Sequence, residues 1–418
     1  MRASTFLKNL QGATNWRAQY NPLRGLTLPQ LAAMLEMGER GDYARLQWLF
    51  RYIEKRNPML RAVLERRQAA LLQLDWDIRV RDGRGSGARS NPRALAARQA
   101  AALREAYECL ANLHEAVAFL ALAEFRGYAH LERHFDSRGR TVRLQPVPQW
   151  FWARNGPDAP WQYNADARPG LPVAGDPILD PARILVREVR APIDEIAAIA
   201  HVRQGLSQKD WDAFVETYGL PPLFIELPPD IPHEREMEYQ AQAEAIIGDA
   251  RGTVPSGTKI HTIDSGARGQ NPFAEHLRYQ DELIVLAATG GKLTVLAESG
   301  SGTLAGSAHQ QAFDDLTEAE AALLSEIFQD QFDRPLLAKL FPGEPQLAYF
   351  ELAATRARDA STIINQALML ARAGYEIDPA ELAERTGYQI KLRDYVLEPV
   401  AKPPGMAGNA KGLAAETE

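Results

Sequence analysis

The chain has 418 residues, 45% of them hydrophobic and 24% charged, a formal net charge of −7 and one cysteine, which excludes an intrinsically disordered chain and a disulfide-stapled one. No run of about 18 apolar residues occurs, and the opening MRASTFLKNLQGATNW has no apolar signal core. Neither a membrane span nor a secretory leader is expected, so the chain is expected to remain in the cytosol where it is made.

The charge is uneven. Residues 1–110 carry nineteen Lys and Arg against ten Asp and Glu, and the rest carry twenty-eight against forty-four. A basic front could bind nucleic acid, yet its arginines are scattered through amphipathic stretches such as RYIEKRNPMLRAVLERRQ, which reads as a solvated face. After an extended start, DYARLQWLFRYIEKR reads as a helix with Leu46, Leu49 and Ile53 on one side. Asn57 and Pro58 then supply the cap and first-turn proline of a second helix. LDWDIRV alternates as a strand, with Trp76, Ile78 and Val80 on one face. RDGRGSGARSNP reads as a loop, and the spacing from Pro92 to about Arg126 predicts one long amphipathic helix. Cys109 falls within it as a small buried hydrophobe.

From about 130 to 190, short β-like runs are broken by Pro and Gly (TVRLQPVPQWFWARNG, WQYNADA, RILVREV). APIDEIAAIAHVRQGLSQKDWDAFVETYG then predicts a long helix that Gly205 could bend and Gly219 and Pro221 stop. PLFIEL, HEREMEYQAQAEAIIGDA and TKIHTID give strand, helix and strand, and a second long helix begins at Asn271 and Pro272. Beyond the Gly/Ser-rich ESGSGTLAGSAHQ, a further helix is expected with a capping box at Thr317 and Glu320 and a kink at Pro335. Short helices and a tail expected to be disordered complete the chain.

Motifs for chemistry are weak. A phosphate-binding loop needs a lysine after its glycines, and Lys292 lies on the wrong side of Gly300, Gly302 and Gly306, whose spacing also fails as a dinucleotide fingerprint. His130 and His134, four apart in HLERH, lack the glutamate position of a zinc protease. No G-x-S-x-G elbow occurs. Asp314 and Asp315 could bind a metal, but adjacent carboxylates on a helix diverge. No catalytic site, cofactor or metal is expected.

Taken in order, NPMLRAVLERRQAALLQLDWDI, QPVPQWFW, KDWDAFVETYGLPPLFIEL and GGKLTVLAESGSGTLAGSAHQQAFDDL resemble the portal proteins of tailed bacteriophages, specifically those of Mu-like phages. The similarity covers roughly residues 20–395. One departure is the short connection RAPIDEIA before the first long helix. The resemblance implies an α+β portal fold and no enzymatic activity. It implies a wing over 1–191, stem helices over 192–220 and 270–289, and a strand–helix–strand clip over 221–265. A DNA-channel loop over 290–308, a kinked wing helix over 309–345, a crown over 346–400 and a tail over 401–418 complete the plan. Lys292, Ser299, Gly300, Ser301, Gly302, Thr303, Gly306 and Ser307 would form the channel loop, and Trp211, Phe214, Phe273, Leu277 and Ile284 would pack the stem.

The implied assembly is a homo-oligomeric ring of about twelve subunits at one capsid vertex of a virion, formed in the host cytoplasm. Double-stranded DNA would pass through it without sequence specificity, and the large terminase subunit, the major capsid protein and head–tail connector proteins would be its partners, with no membrane involved. Short, weakly interacting side chains suit such a bore, because each Lys or Arg contact to phosphate adds affinity that holds DNA still. The competing readings are a phage-encoded metal-dependent nuclease and a monomeric DNA-binding or scaffolding protein that uses the basic front.

Overall fold

The computed structural model describes residues 20–81, 91–173, 175–218, 223–226, 232, 235, 237–238, 241, 259–262, 272–291, 303–353, 356–386 and 388. These fall into two compact units divided between residues 354 and 355.

The first unit begins with α1 (Leu28–Glu39), α2 (Ala44–Arg56) and α3 (Pro58–Leu72). α1 replaces part of the expected extended start. Its signal is Thr27-x-x-Gln30 with Pro29 in the first turn, and the Gln30 side chain accepts the Thr27 N–H at 3.0 Å. Asn57 caps α3 by accepting the Leu60 N–H at 2.9 Å, and β1 (Asp75–Val80) follows.

In place of one helix from Pro92 to Arg126 there are three: α4 (Pro92–Glu108), α5 (Leu113–Ala121) and α6 (Ala123–Arg126). The first break exists because a neighbouring strand claims the backbone there. Ala111 N–H donates to the Val142 carbonyl at 3.0 Å, while the Asn112 side chain donates to Leu144 O at 2.8 Å and accepts Leu144 N–H at 3.0 Å. Helical periodicity does not register such a long-range competitor. Gly127, at φ +92°, ends α6 in the left-handed conformation.

β2 (Tyr128–Phe135), β3 (Thr141–Val147) and β6 (Ile184–Glu188) form an antiparallel sheet with β2 central, and β4 (Trp152–Ala153) pairs with β5 (Gln162–Tyr163). α7 (Ile193–Tyr218) runs through Gly205 without interruption. The antiparallel strands β7 (Leu223–Glu226) and β8 (Lys259–Thr262) lie between α7 and α8 (Pro272–Thr289) in the chain. Most of the helix expected between β7 and β8 lies outside the described residues, as do Asn271, Gly219 and Pro221 and residues 82–90 and 401–418.

α9 (Thr303–Phe328) is continuous, so no helix starts at Thr317. Its hydroxyl donates to Phe313 O one turn back at 2.9 Å, and the Glu320 carboxylate is occupied by arginines instead of closing a capping box. The expected kink is a π-helical turn, Gln329–Asp333, ahead of α10 (Arg334–Leu340). Pro335 has no N–H for the Gln331 carbonyl four residues back, and the Arg133 guanidinium takes that carbonyl.

Residues 346–353, expected to open a crown, do not join the second unit. Ala348–Ala353 is β9, antiparallel to β1 with Ile78 opposite Phe350, and it belongs to the first unit. Alternating burial along AYFELA shows why: Ala348, Phe350 and Leu352 enter a core. The second unit contains α11 (Arg356–Arg372) and α12 (Pro379–Thr386).

Three large apolar clusters, with a small fourth of Leu95, Ala96 and Leu347, hold the first unit. One joins α4, α5, β1, β9 and α9 through Leu103, Tyr107, Leu120, Leu324, Phe328 and Phe350. A second joins α1–α3 to the base of α7 and α8 through Leu49, Phe50, Ile53, Ala197, Ile284 and Ala288. The third is aromatic, with Tyr128, Phe151, Trp152, Trp161 and Tyr163 at its centre. Each large side chain removed from water contributes about 1.5–3 kcal/mol.

Candidate functional site

The long helices α7 and α8 run antiparallel, as shown by partners that descend one helix as they ascend the other. Trp211 stacks on Phe273 with centroids 6.4 Å apart, and Phe214 lies 5.9 Å from the same ring. Closer to the base, Ser207 Oγ is 2.6 Å from His276 Nδ1, and Gln204 donates to Asp281 at 2.7 Å. Gln280 Nε2 lies 3.2 Å from His276 Nε2, so both ring nitrogens of His276 are engaged. Gln204 also accepts from the cap residue Asn57 at 2.9 Å, which fastens the helix pair to α3. Burial raises the pKa of the Asp281 carboxyl, although the Gln204 bond opposes this.

Trp211, Phe214 and Phe273 are among the residues expected to pack a stem; the polar seam beside them was missed. The signal was present, since Gln204, Ser207 and Trp211 recur at helical spacing and face His276 and Gln280 at the same spacing. Ile284 is fully buried in the basal cluster, and Leu277 is half-buried on α8. Both helices keep apolar side chains in solvent: Ile196, Leu206 and Val215 on α7, Tyr279 and Leu286 on α8.

The base is electrostatically clamped. Glu320 of α9, 4% exposed, accepts from Arg67 at 2.6 Å and from Arg187 at 2.9 Å. Arg67 also donates to Ala288 O at the end of α8, at 2.9 Å, and Arg187 pairs with Glu124. Arg67 thus ties the end of α8 to the middle of α9. Gly290, at φ +68°, caps α8, and the Thr289 hydroxyl lies 2.8 Å from the Val285 and Gly291 carbonyls. At the start of α7, Asp194 is 1% exposed. Burial drives its carboxyl well above the usual range, reinforced by the neighbouring Glu54 carboxylate, which Arg126 engages with two bonds of 2.7 and 2.5 Å.

Of the expected loop residues, Lys292, Ser299, Gly300, Ser301 and Gly302 lie outside the described residues. Thr303, Gly306 and Ser307 belong to the first turns of α9, where a loop was expected through 308. One glycine in a helix costs only about 1 kcal/mol relative to alanine, and Leu304, Ala305 and Ala308 around it favour helix.

His130 is no metal ligand paired along a helix. It lies on β2, fully buried, with its ring stacked 4.0 Å from Trp152. Asp315 accepts a hydrogen bond from Gln311 at 2.7 Å. Among the described residues no group of three or more His, Cys, Asp or Glu could hold a metal, and no described helix is long and apolar enough to cross a membrane.

Two long antiparallel helices joined through a small β pair, standing on a mixed α+β body, define the phage portal fold. A chain from the neck of a native gene transfer agent particle computed with C12 symmetry shares this fold at a TM-score of 0.53 and 16% identity, over 87% of this chain and 100% of that one. The sequence model described as "Portal protein of Mu bacteriophage" matches residues 47–388, and the chain belongs to that family. Among curated relatives, "Mu-like prophage FluMu protein gp29" of Haemophilus influenzae is 22% identical over 377 residues, which cover 85% of this chain and 69% of that protein. The "Portal protein" of Escherichia phage Mu is 25% identical over 338 residues, 77% of this chain and 62% of that protein.

Proposed function

We propose that copies of this chain close head to tail into a ring of about twelve subunits at one capsid vertex, through whose bore double-stranded DNA is packaged and ejected. The observation that carries the reading is the set of apolar side chains that the α7–α8 pair leaves in solvent, where Ile196, Leu206, Val215, Tyr279 and Leu286 are 45–54% exposed. A closed cyclic assembly needs two different patches on every subunit, and these side chains, exposed in the single chain, are left to offer to a neighbour. Family membership and the C12 symmetry of the fold neighbour's particle support the same reading.

In this reading α7 and α8 are the stem, with Trp211, Phe214, Phe273, Leu277 and Ile284 holding it together. The segment between β7 and β8 is the clip that meets the large terminase subunit and later the head–tail connector. Residues up to 191 and the kinked α9–α10 helix are the wing, which contacts the major capsid protein, and 356–400 are the crown. The bore is passive: the Gly/Ser-rich segment touches DNA and yields, and the acidic balance beyond residue 110 repels phosphate. The role is structural, not enzymatic.

The test is assembly. Negative-stain images and sedimentation should give rings of about 550 kDa, roughly twelve times the 46.4 kDa chain. Solitary particles without a central hole at high concentration would overturn the proposal and favour the monomeric reading. Deleting residues 299–302, which spares α9, should leave rings intact while DNA retention in particles falls. Unchanged retention would remove the loop from the mechanism.

A further inference from the structure

The β2–β3 hairpin, α4 and α10 enclose a cavity of about 610 Å3 that the portal reading leaves without a task. Its size lies within the usual span of ligand sites, about 300–1,000 Å3. Its floor is apolar, with Ala102 and Ala106 one helical turn apart on α4 facing Phe332 and Leu336. Its walls are cationic. Arg133 contributes from β2, Arg138 and Arg140 from the hairpin turn and Lys339 from α10, against the single carboxylate of Glu105.

The cations are not equally committed. Arg140 is held by Asp136 at 3.0 Å and lies 3.6 Å from Glu105. Asp136 also accepts the backbone N–H groups of Arg138 and Arg140 at 2.8 and 2.9 Å, which sets the turn and holds both side chains at the mouth. Among the described residues no carboxylate stands at ion-pair distance from Arg138, Lys339 or Arg133. Arg133 is the informative one: it is 7% exposed, its Nε has no hydrogen-bond partner, and its guanidinium sits 5.7 Å over the Phe332 ring. Burial lowers its pKa. A buried guanidinium with a carbonyl and an aromatic face for company, and with Asp180 acting on it only from beyond ion-pair distance, has room for an anion of its own.

We propose that this cavity is the docking site for an acidic peptide segment of a partner protein, one that places a carboxylate against Arg133, Arg138 and Lys339 and a bulky apolar side chain on the floor. Apolar floor and cationic rim together select for both features: a bare anion leaves the floor wet, and a plain apolar segment leaves the guanidinium unpaired. The inference does not rest on ring assembly.

Cys109, the only cysteine of the chain, lines the same cavity with its sulfur 3.9 Å from Arg140, and it supplies a site-specific reporter. The full chain is treated with the peptide Leu-Asp-Phe-Glu-Leu carrying an N-terminal chloroacetyl group. The thiolate sulfur displaces chloride from the CH2 carbon, forming a thioether and releasing chloride, with the thiol proton going to buffer. Labelling of Cys109 should run at least about tenfold faster than with chloroacetamide at equal concentration, and unmodified peptide should slow it. The acceleration should vanish in an Arg138→Glu, Lys339→Glu double variant, whose altered side chains are both exposed. Polarisation of the fluorescein-labelled peptide reports binding without chemistry at the thiol, and binding should weaken as salt rises. Equal binding of a Leu-Lys-Phe-Lys-Leu control, or unchanged binding by the double variant, would overturn the proposal.

Discussion

His130 shows how one side chain can couple stability to pH. Its ring is fully buried against Trp152, and neither nitrogen has a hydrogen-bond partner. Burial, helped by the nearby Arg154 charge, holds its pKa well below the usual value of 6.5. Above pH 6.5 the ring is neutral in both states; below it the unfolded chain takes up a proton that the folded chain refuses, so stability falls by up to about 1.4 kcal/mol per pH unit. Asp333 acts in the opposite sense. Burial raises its carboxyl to about 6, against hydrogen bonds from Tyr107 and the Phe350 N–H, so its contribution grows as pH falls from about 6 towards 4. His130→Phe should keep the stack and abolish the first effect. Urea unfolding should find the variant about 1–2 kcal/mol more stable relative to wild type at pH 5 than at pH 8; an unchanged difference would mean the ring is not held neutral. Gly41 is a steric case. Its φ is +101°, and a Cβ there would stand 1.8 Å from the Arg154 carbonyl oxygen. Gly41→Ala should therefore cost more than about 3 kcal/mol, read as a lower denaturation midpoint.

At the scale of elements, one helical segment closes the open edges of two sheets. Ser325, Gln329 and Asp333 bond β9 at Leu352 N–H, Phe350 O and Phe350 N–H, each within 2.9 Å. Gln331 serves Val186 of β6 as both donor and acceptor at 2.7 Å. The π turn makes this possible, because the extra residue rotates Gln331 towards one sheet and keeps Asp333 on the other. The same helix carries Glu320 between Arg67 and Arg187. Glu320→Ala would leave buried Arg67 without a counter-carboxylate and Arg187 with Glu124 alone, with an expected loss of about 3–5 kcal/mol in the unfolding free energy. A loss below about 1 kcal/mol would show that water reaches them.

For the whole molecule, assembly should depend on side chains that folding does not need. Leu206→Glu combined with Leu286→Glu alters two exposed positions, 53% and 45% accessible. Far-UV circular dichroism should stay unchanged while sedimentation shifts from rings to single chains, because carboxylates would face the neighbouring subunit's apolar patch. Loss of helical signal would mean those side chains support the fold itself. The sequence by itself determined the two long helices, the strands flanking the segment between them and the Asn57 cap, since each is written in local periodicity or punctuation. Only the tertiary structure decided that the helix from Pro92 breaks at Asn112, that Thr317 caps nothing, that residues 348–353 return to pair with β1, and that Arg67, Arg187 and Glu320 meet. The physical reason is range: a cap or an apolar stripe lies within a few residues, whereas a strand edge or a buried charge finds its partner 32 residues away at Asn112 and 253 away at Arg67, where only the closed chain brings them together.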